Sequence, residues 1–139
     1  MFIGSILQIK KHFDFLKQHG FSGPYNHESS GISSINYVKE KIIIHIVFTG
    51  RYWCYIYKTK SPIDTILTGQ SNVESIPRNE ITVCHEISKL DLKRKIWNSV
   101  SKDNFPDKPL WYYSKLIIQN KEITNGDFRK FSILYRLFH

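Results

Sequence analysis

"KIIIHIVFTGRYWCYIYK", residues 41–58, decides the fold. Its β-branched side chains are stiff and crowd a helix, but they pack readily on a pleated surface, so the run predicts strands. Thr49-Gly50-Arg51 divides it into strands at 42–48 and 52–58, a break short enough for a hairpin. Successive side chains of a strand point to opposite faces. Ile42, Ile44, Ile46 and Phe48 therefore share one face, and Ile43, His45 and Val47 the other. In the second strand Tyr52, Cys54 and Ile56 oppose Trp53, Tyr55 and Tyr57. Both faces are largely apolar. That predicts helices over both, or one face whose aromatic rings stay partly open to water.

Upstream, the same period predicts a strand at 32–38, joined to the first through Lys39-Glu40-Lys41. Residues 22–31 are polar and contain Gly23 and Pro24, which predicts a loop. Before it, Phe2, Ile6, Ile9, Phe13 and Leu16 recur at spacings of four and three, the pattern of one helix face. Gly20 supplies a left-handed end to that helix, and Phe21 falls where a Schellman motif folds an apolar side chain back onto Leu16.

Downstream, residues 59–79 contain Pro62, Gly69 and Pro77 and are expected to be mostly connection. "NEITVCHEI", residues 79–87, predicts another strand, with Ile81, Val83, His85 and Ile87 alternating. Leu92, Ile96 and Val100 sit at helical spacing and predict a short helix. After a Pro-rich boundary at 105–109, Pro109 suits the first turn of a helix to about Asn120. Phe128, Phe131, Tyr135 and Phe138 mark the apolar face of another. Asp127 stands just before that run, where its carboxylate would accept amides of the first turn. With no second acid or histidine beside it, Asp127 is expected to cap rather than catalyse. The whole predicts a single α+β domain over residues 1–139. It has an antiparallel sheet of about four to five strands, an N-terminal helix and a C-terminal helix pair.

A chain of 139 residues is long enough for one core without metal or disulfide staples. Its net charge of +8 is evenly spread: residues 1–69 hold eight basic and four acidic side chains, residues 70–139 twelve and eight. There is no basic tail, although an acidic partner or nucleic acid suits the overall sign. "MFIGSILQIKKHF" places its charges after its apolar residues, unlike a signal peptide. No apolar run approaches the roughly 20 residues that span a bilayer. Cys54 and Cys84 are expected to be reduced, buried thiols of a cytoplasmic protein.

No chemistry announces itself. The sequence has no C-x-x-C or H-x-x-x-H metal pair, no phosphate-binding glycine loop and no nucleophile elbow. Cys54 and His85 would form a nucleophile pair only if their strands were neighbours. Glu28, Asp64, Glu74 and Glu80 fall mainly in predicted connections. No catalytic residue, cofactor or metal is therefore assigned. The unusual stretch is the strand itself: Trp53, Tyr55 and Tyr57 flanked by Arg51 and Lys58. Aromatic rings with a charged rim suit a protein interface. A nucleic-acid-binding module is the alternative, although a base-stacking sheet would want glycines between its aromatics. "LKRK", residues 92–95, reads as a solvated basic helix face that could extend a positive surface.

Phe13, Leu16, Gly20 and Phe21, then I-N-Y-V (35–38), I-I-I-H-I (42–46) and Y-W-C-Y-I (52–56), together resemble a group of small bacterial proteins. "SKLIIQNKEITNGDF", residues 114–128, resembles their closing helix pair. Such proteins are described as immunity proteins of contact-dependent or polymorphic toxin systems. The resemblance implies a cytoplasmic, non-catalytic protein that binds and blocks a toxin, and the net charge of +8 suits an acidic one. It transfers no functional residues, because the shared positions are core and turn positions, and it leaves residues 60–106 unaligned. Besides the nucleic-acid alternative, an enzyme whose site is assembled from distant segments stays open.

Overall fold

Each period-two run pairs with the next one along the chain. The computed structural model describes residues 3–29, 32–62, 76–100 and 108–138. β1 (Ser22–Ser29), β2 (Ile32–Lys39), β3 (Ile42–Phe48), β4 (Tyr52–Thr59) and β5 (Ile81–Glu86) form a five-stranded antiparallel sheet in chain order. The strands expected at 32–38, 42–48 and 52–58 agree within a residue at each end. Phe2, Asp64 and Glu74, and the side chains of Glu28, Tyr135 and Phe138, lie outside the described residues.

Residues 22–31 are the clearest correction, since the expected loop is largely the edge strand β1. Proline and polar residues weaken a strand signal because they remove a ladder amide and carry no apolar period. At a sheet edge neither objection holds, because the outward backbone needs no strand partner. The register shifts between Ser22 and Tyr25, across Gly23-Pro24, and pairing with β2 then continues.

The first helix, α1 (Ile3–Phe13), tightens into a 3-10 turn over Asp14–His19. It lays Ile9, Phe13 and Leu16 fully buried on the sheet. Gly20 closes it at φ 92°; its amide donates to Lys17 O and the Phe21 amide to Leu16 O, both at 3.1 Å. This is the expected Schellman motif. The buried Tyr37 hydroxyl of β2 donates to Asp14 Oδ1 at 2.9 Å, tying helix to sheet.

Among the described residues, three further α-helices come after β5: α2 (Lys95–Val100), α3 (Lys108–Gln119) and α4 (Arg129–Phe138). Ile35, Ile44, Ile46, Cys54 and Ile56 from the sheet meet Leu110, Leu116 and Ile117 of α3 in the main core. The other sheet face carries a smaller cluster, in which Tyr25, Tyr57 and Ile81 pack around buried Val38, Ile43 and Ile76. Cys54 is buried as expected, but Cys84 is exposed. Its strand, β5, is at an edge of the sheet, and Cys84 lies opposite Tyr57, on the face away from the main core. No helix among the described residues is long and apolar enough to cross a membrane.

Candidate functional site

Antiparallel order brings the start of β4 and the end of β5 to the same end of the sheet, because Tyr55 pairs with Glu86. Beyond that end the chain makes a 3-10 turn over Ile87–Leu90 and reaches Asp91. Asp91 organises the entry to α2. Its Oδ1 accepts the Ile96 amide at 2.8 Å, and its Oδ2 accepts the Trp97 amide at 2.9 Å. The Tyr112 hydroxyl of α3 also donates to Oδ2, at 2.8 Å. One carboxylate thus satisfies two free amides of the first turn of α2 and pins α2 to α3.

Between Asp91 and α2, Lys93 and Arg94 both adopt left-handed backbone, at φ 54° and 56°. Non-glycine residues rarely do this, at a cost of about 1–2 kcal/mol each. The Asp91 bonds hold the turn closed, so that Arg94 and Trp97 project together.

The result is a cleft of about 520 Å³. Tyr112 and Tyr113 are its buried floor, at 5% and 7% exposure. Both phenols are held far above their ordinary pKa, first by burial and for Tyr112 next by the bond to Asp91. They therefore act as donors, Tyr113 to the Tyr52 carbonyl at 3.3 Å. Tyr52 and Trp53 of β4 also line it, and Trp97 from α2 meets Tyr112 edge-on at 5.0 Å. Arg51 and Arg94 stand at the exposed rim. The Arg51 guanidinium lies 4.2 Å from the Trp53 ring centre, and that of Arg94 lies 5.9 Å from Trp97. Glu86 lines the same cleft and accepts the Ser88 hydroxyl at 2.7 Å.

Of the residues expected to bind a partner, Arg51 and Trp53 stand here together. Trp53, Tyr55 and Tyr57 share the second sheet face, as alternation predicts, with Tyr55 and Tyr57 against His45 at ring distances of 6.3 and 5.9 Å. His45 is buried, bonded through Nδ1 to Asn36 Oδ1 at 2.6 Å, and burial lowers its pKa to about 4. Lys58 lies at the far end of β4, where its Nζ donates to the Gly126 carbonyl at 3.3 Å and sits over Phe128. Lys58 takes the opposite face from Trp53, Tyr55 and Tyr57. Arg94, Trp97, Tyr112, Tyr113 and Glu86 line the cleft beside Arg51 and Trp53.

Nucleophile chemistry finds little support in the geometry. β4 and β5 are neighbours, yet His85 stacks on Phe131 at 4.2 Å with rings 7° apart, and no hydrogen bond joins it to Cys54. Burial pushes the Cys54 thiol well up, disfavouring thiolate. No family model, curated protein or solved structure matches the chain. The cleft is therefore read from its own chemistry. Among the described residues, no three ligating side chains converge as a metal site would require.

Proposed function

We propose that the chain is a non-catalytic binding protein of immunity type, which occludes an acidic partner toxin with the Arg51–Trp53 end of the sheet. One observation carries this reading. The Arg51 guanidinium is stacked on Trp53 at the surface, with no hydrogen bond or ion pair among the described residues. Arginine and tryptophan are the side chains that most often anchor interfaces. Stacking preorganises the guanidinium, so less freedom is lost when a carboxylate arrives. The net charge of +8 would speed the encounter with an acidic surface. The resemblance to immunity proteins supports the same role. No glycine stands between Trp53, Tyr55 and Tyr57, which weakens the case for a base-stacking sheet.

The test is co-expression with the product of the adjacent gene, then gel filtration and a growth assay. A stable complex and protected cells are expected, with association slowed about tenfold by Arg51→Glu. Absence of both complex and protection sinks the reading. So does submicromolar oligonucleotide binding at physiological salt that disappears in folded Trp53→Ala.

A further inference from the structure

We infer that the cleft between the sheet end, α2 and α3 is a ligand site in its own right, for a small planar anion of the nucleotide class. This does not depend on a protein partner. A volume of about 520 Å³ lies within the few hundred to about a thousand Å³ of small-molecule sites. The floor is aromatic, and both of its hydroxyls are already committed, to Asp91 and to the Tyr52 carbonyl. What it offers a ligand is ring surface, which favours a flat occupant.

The polar groups narrow the choice. Arg51 and Arg94 come from separate elements to one rim, and neither guanidinium makes a hydrogen bond or ion pair among the described residues. Each is placed against an indole, and Arg94 is further set by the left-handed turn that Asp91 closes. Two preorganised, unpaired arginine forks beside one cleft match a phosphate or carboxylate. Glu86 adds the opposite requirement. Its carboxylate, bonded among the described residues to Ser88 alone, repels a bare anion and accepts from N–H groups. A simple anion satisfies the arginines alone, and a hydrocarbon the rings alone. A nucleobase carrying a phosphate satisfies rings, arginines and Glu86 at once. Guanine offers two adjacent N–H donors on one edge, so Glu86 should favour it.

Isothermal titration calorimetry on the full chain tests this with GMP, AMP, CMP and UMP, against guanosine and inorganic phosphate alone. Tryptophan fluorescence, corrected for nucleotide absorbance, gives a second readout, because two of the three tryptophans line the cleft. The expected result is saturable binding, tightest for GMP, with a Kd of about 1 mM or below. Guanosine and phosphate should each bind more weakly. Arg51→Ala and Arg94→Ala should each weaken GMP roughly tenfold, and Glu86→Gln should abolish its advantage over AMP. Both arginines are exposed, neither side chain makes a hydrogen bond among the described residues, and Arg51→Lys and Arg94→Lys give gentler versions checked by circular dichroism. No saturable response to any mononucleotide up to about 10 mM overturns the inference. A response unchanged in the folded double arginine variant does so too. Nucleotide binding without any protein complex would leave this inference standing and remove the proposed function; a protein complex without nucleotide binding would do the reverse.

Discussion

Asp91 accepts three hydrogen bonds, from two amides and a buried hydroxyl, and all three lose their acceptor in Asp91→Ala. That change should cost about 2–4 kcal/mol in urea unfolding, against about 1 kcal/mol for Tyr112→Phe, which removes one bond and its donor together. Equal losses would show that Asp91 does no more than pair with Tyr112. His45 makes the second prediction. Its folded pKa of about 4 lies below the ordinary 6.5, so the unfolded chain takes up a proton before the native protein does. The associated stability is complete above pH 6.5 and is lost as pH falls toward 4, by at most ~3 kcal/mol. His85, held down by burial and then by Lys89, acts in the same direction. Unfolding at pH 7 and pH 4.5 for the native chain and His45→Leu measures the effect, which should shrink in the variant.

The last helix shows the same physics at an end and a beginning. The 3-10 turn at Lys121–Asn125 closes in a second Schellman motif, with the Gly126 amide donating to Ile123 O and the Asp127 amide to Glu122 O. Gly126 has φ 86°, while a Cβ there would meet Ile42 and Lys58 at an ordinary 3.5 Å. The penalty of Gly126→Ala is therefore backbone strain, about 1 kcal/mol, and Gly126→Asn should lose less. Indistinguishable unfolding midpoints for the two variants would refute that account. Asp127 then opens α4: its Oδ1 accepts the Arg129 amide at 3.2 Å, and its carboxylate pairs with the Arg129 guanidinium at 2.9 and 2.7 Å. These bonds, side chain first, lower its pKa to about 2. The stabilisation they bring is present above the ordinary carboxylate range and is lost as pH falls through about 2. Asp127→Asn should keep the cap and Asp127→Ala lose it, so only the second should clearly lower the thermal midpoint.

Across the whole molecule, the two sheet faces are different environments, and the cysteines report on them. Cys54 lies in the main core and Cys84 on the exposed edge strand. A thiol reagent should titrate one thiol in the native protein and two after unfolding. Two rapid native reactions would mean that the main core opens readily. The lysines at the other end of the sheet secure the connection between α3 and α4. Lys39 Nζ donates to Asn125 Oδ1 at 3.0 Å and Lys58 Nζ to the Gly126 carbonyl at 3.3 Å. Lys58 is thereby a fold-closing residue, at the opposite end of β4 from the cleft.

The amino-acid sequence by itself determined what short-range physics controls. Alternation at 42–58 can be buried only as strands, Gly20 is the residue that tolerates the left-handed helix end, and Asp127 caps amides two residues away. The five-stranded order is nearly as local, since neighbouring runs joined by short turns pair with one another. Only the tertiary structure decided that Ser22–Ser29 is a strand, because its stability lies in the ladder of β2 rather than in its own side chains. Tertiary packing also tied Lys58 to Gly126 at the far end of β4, away from Arg51. The cleft depends on it most of all. Arg51, Glu86, Arg94 and Tyr113 are far apart in the chain and carry no shared spacing, and they meet because antiparallel strands and two helices end at the same edge. Local periodicity records which face a residue takes, but not which distant residue will stand beside it.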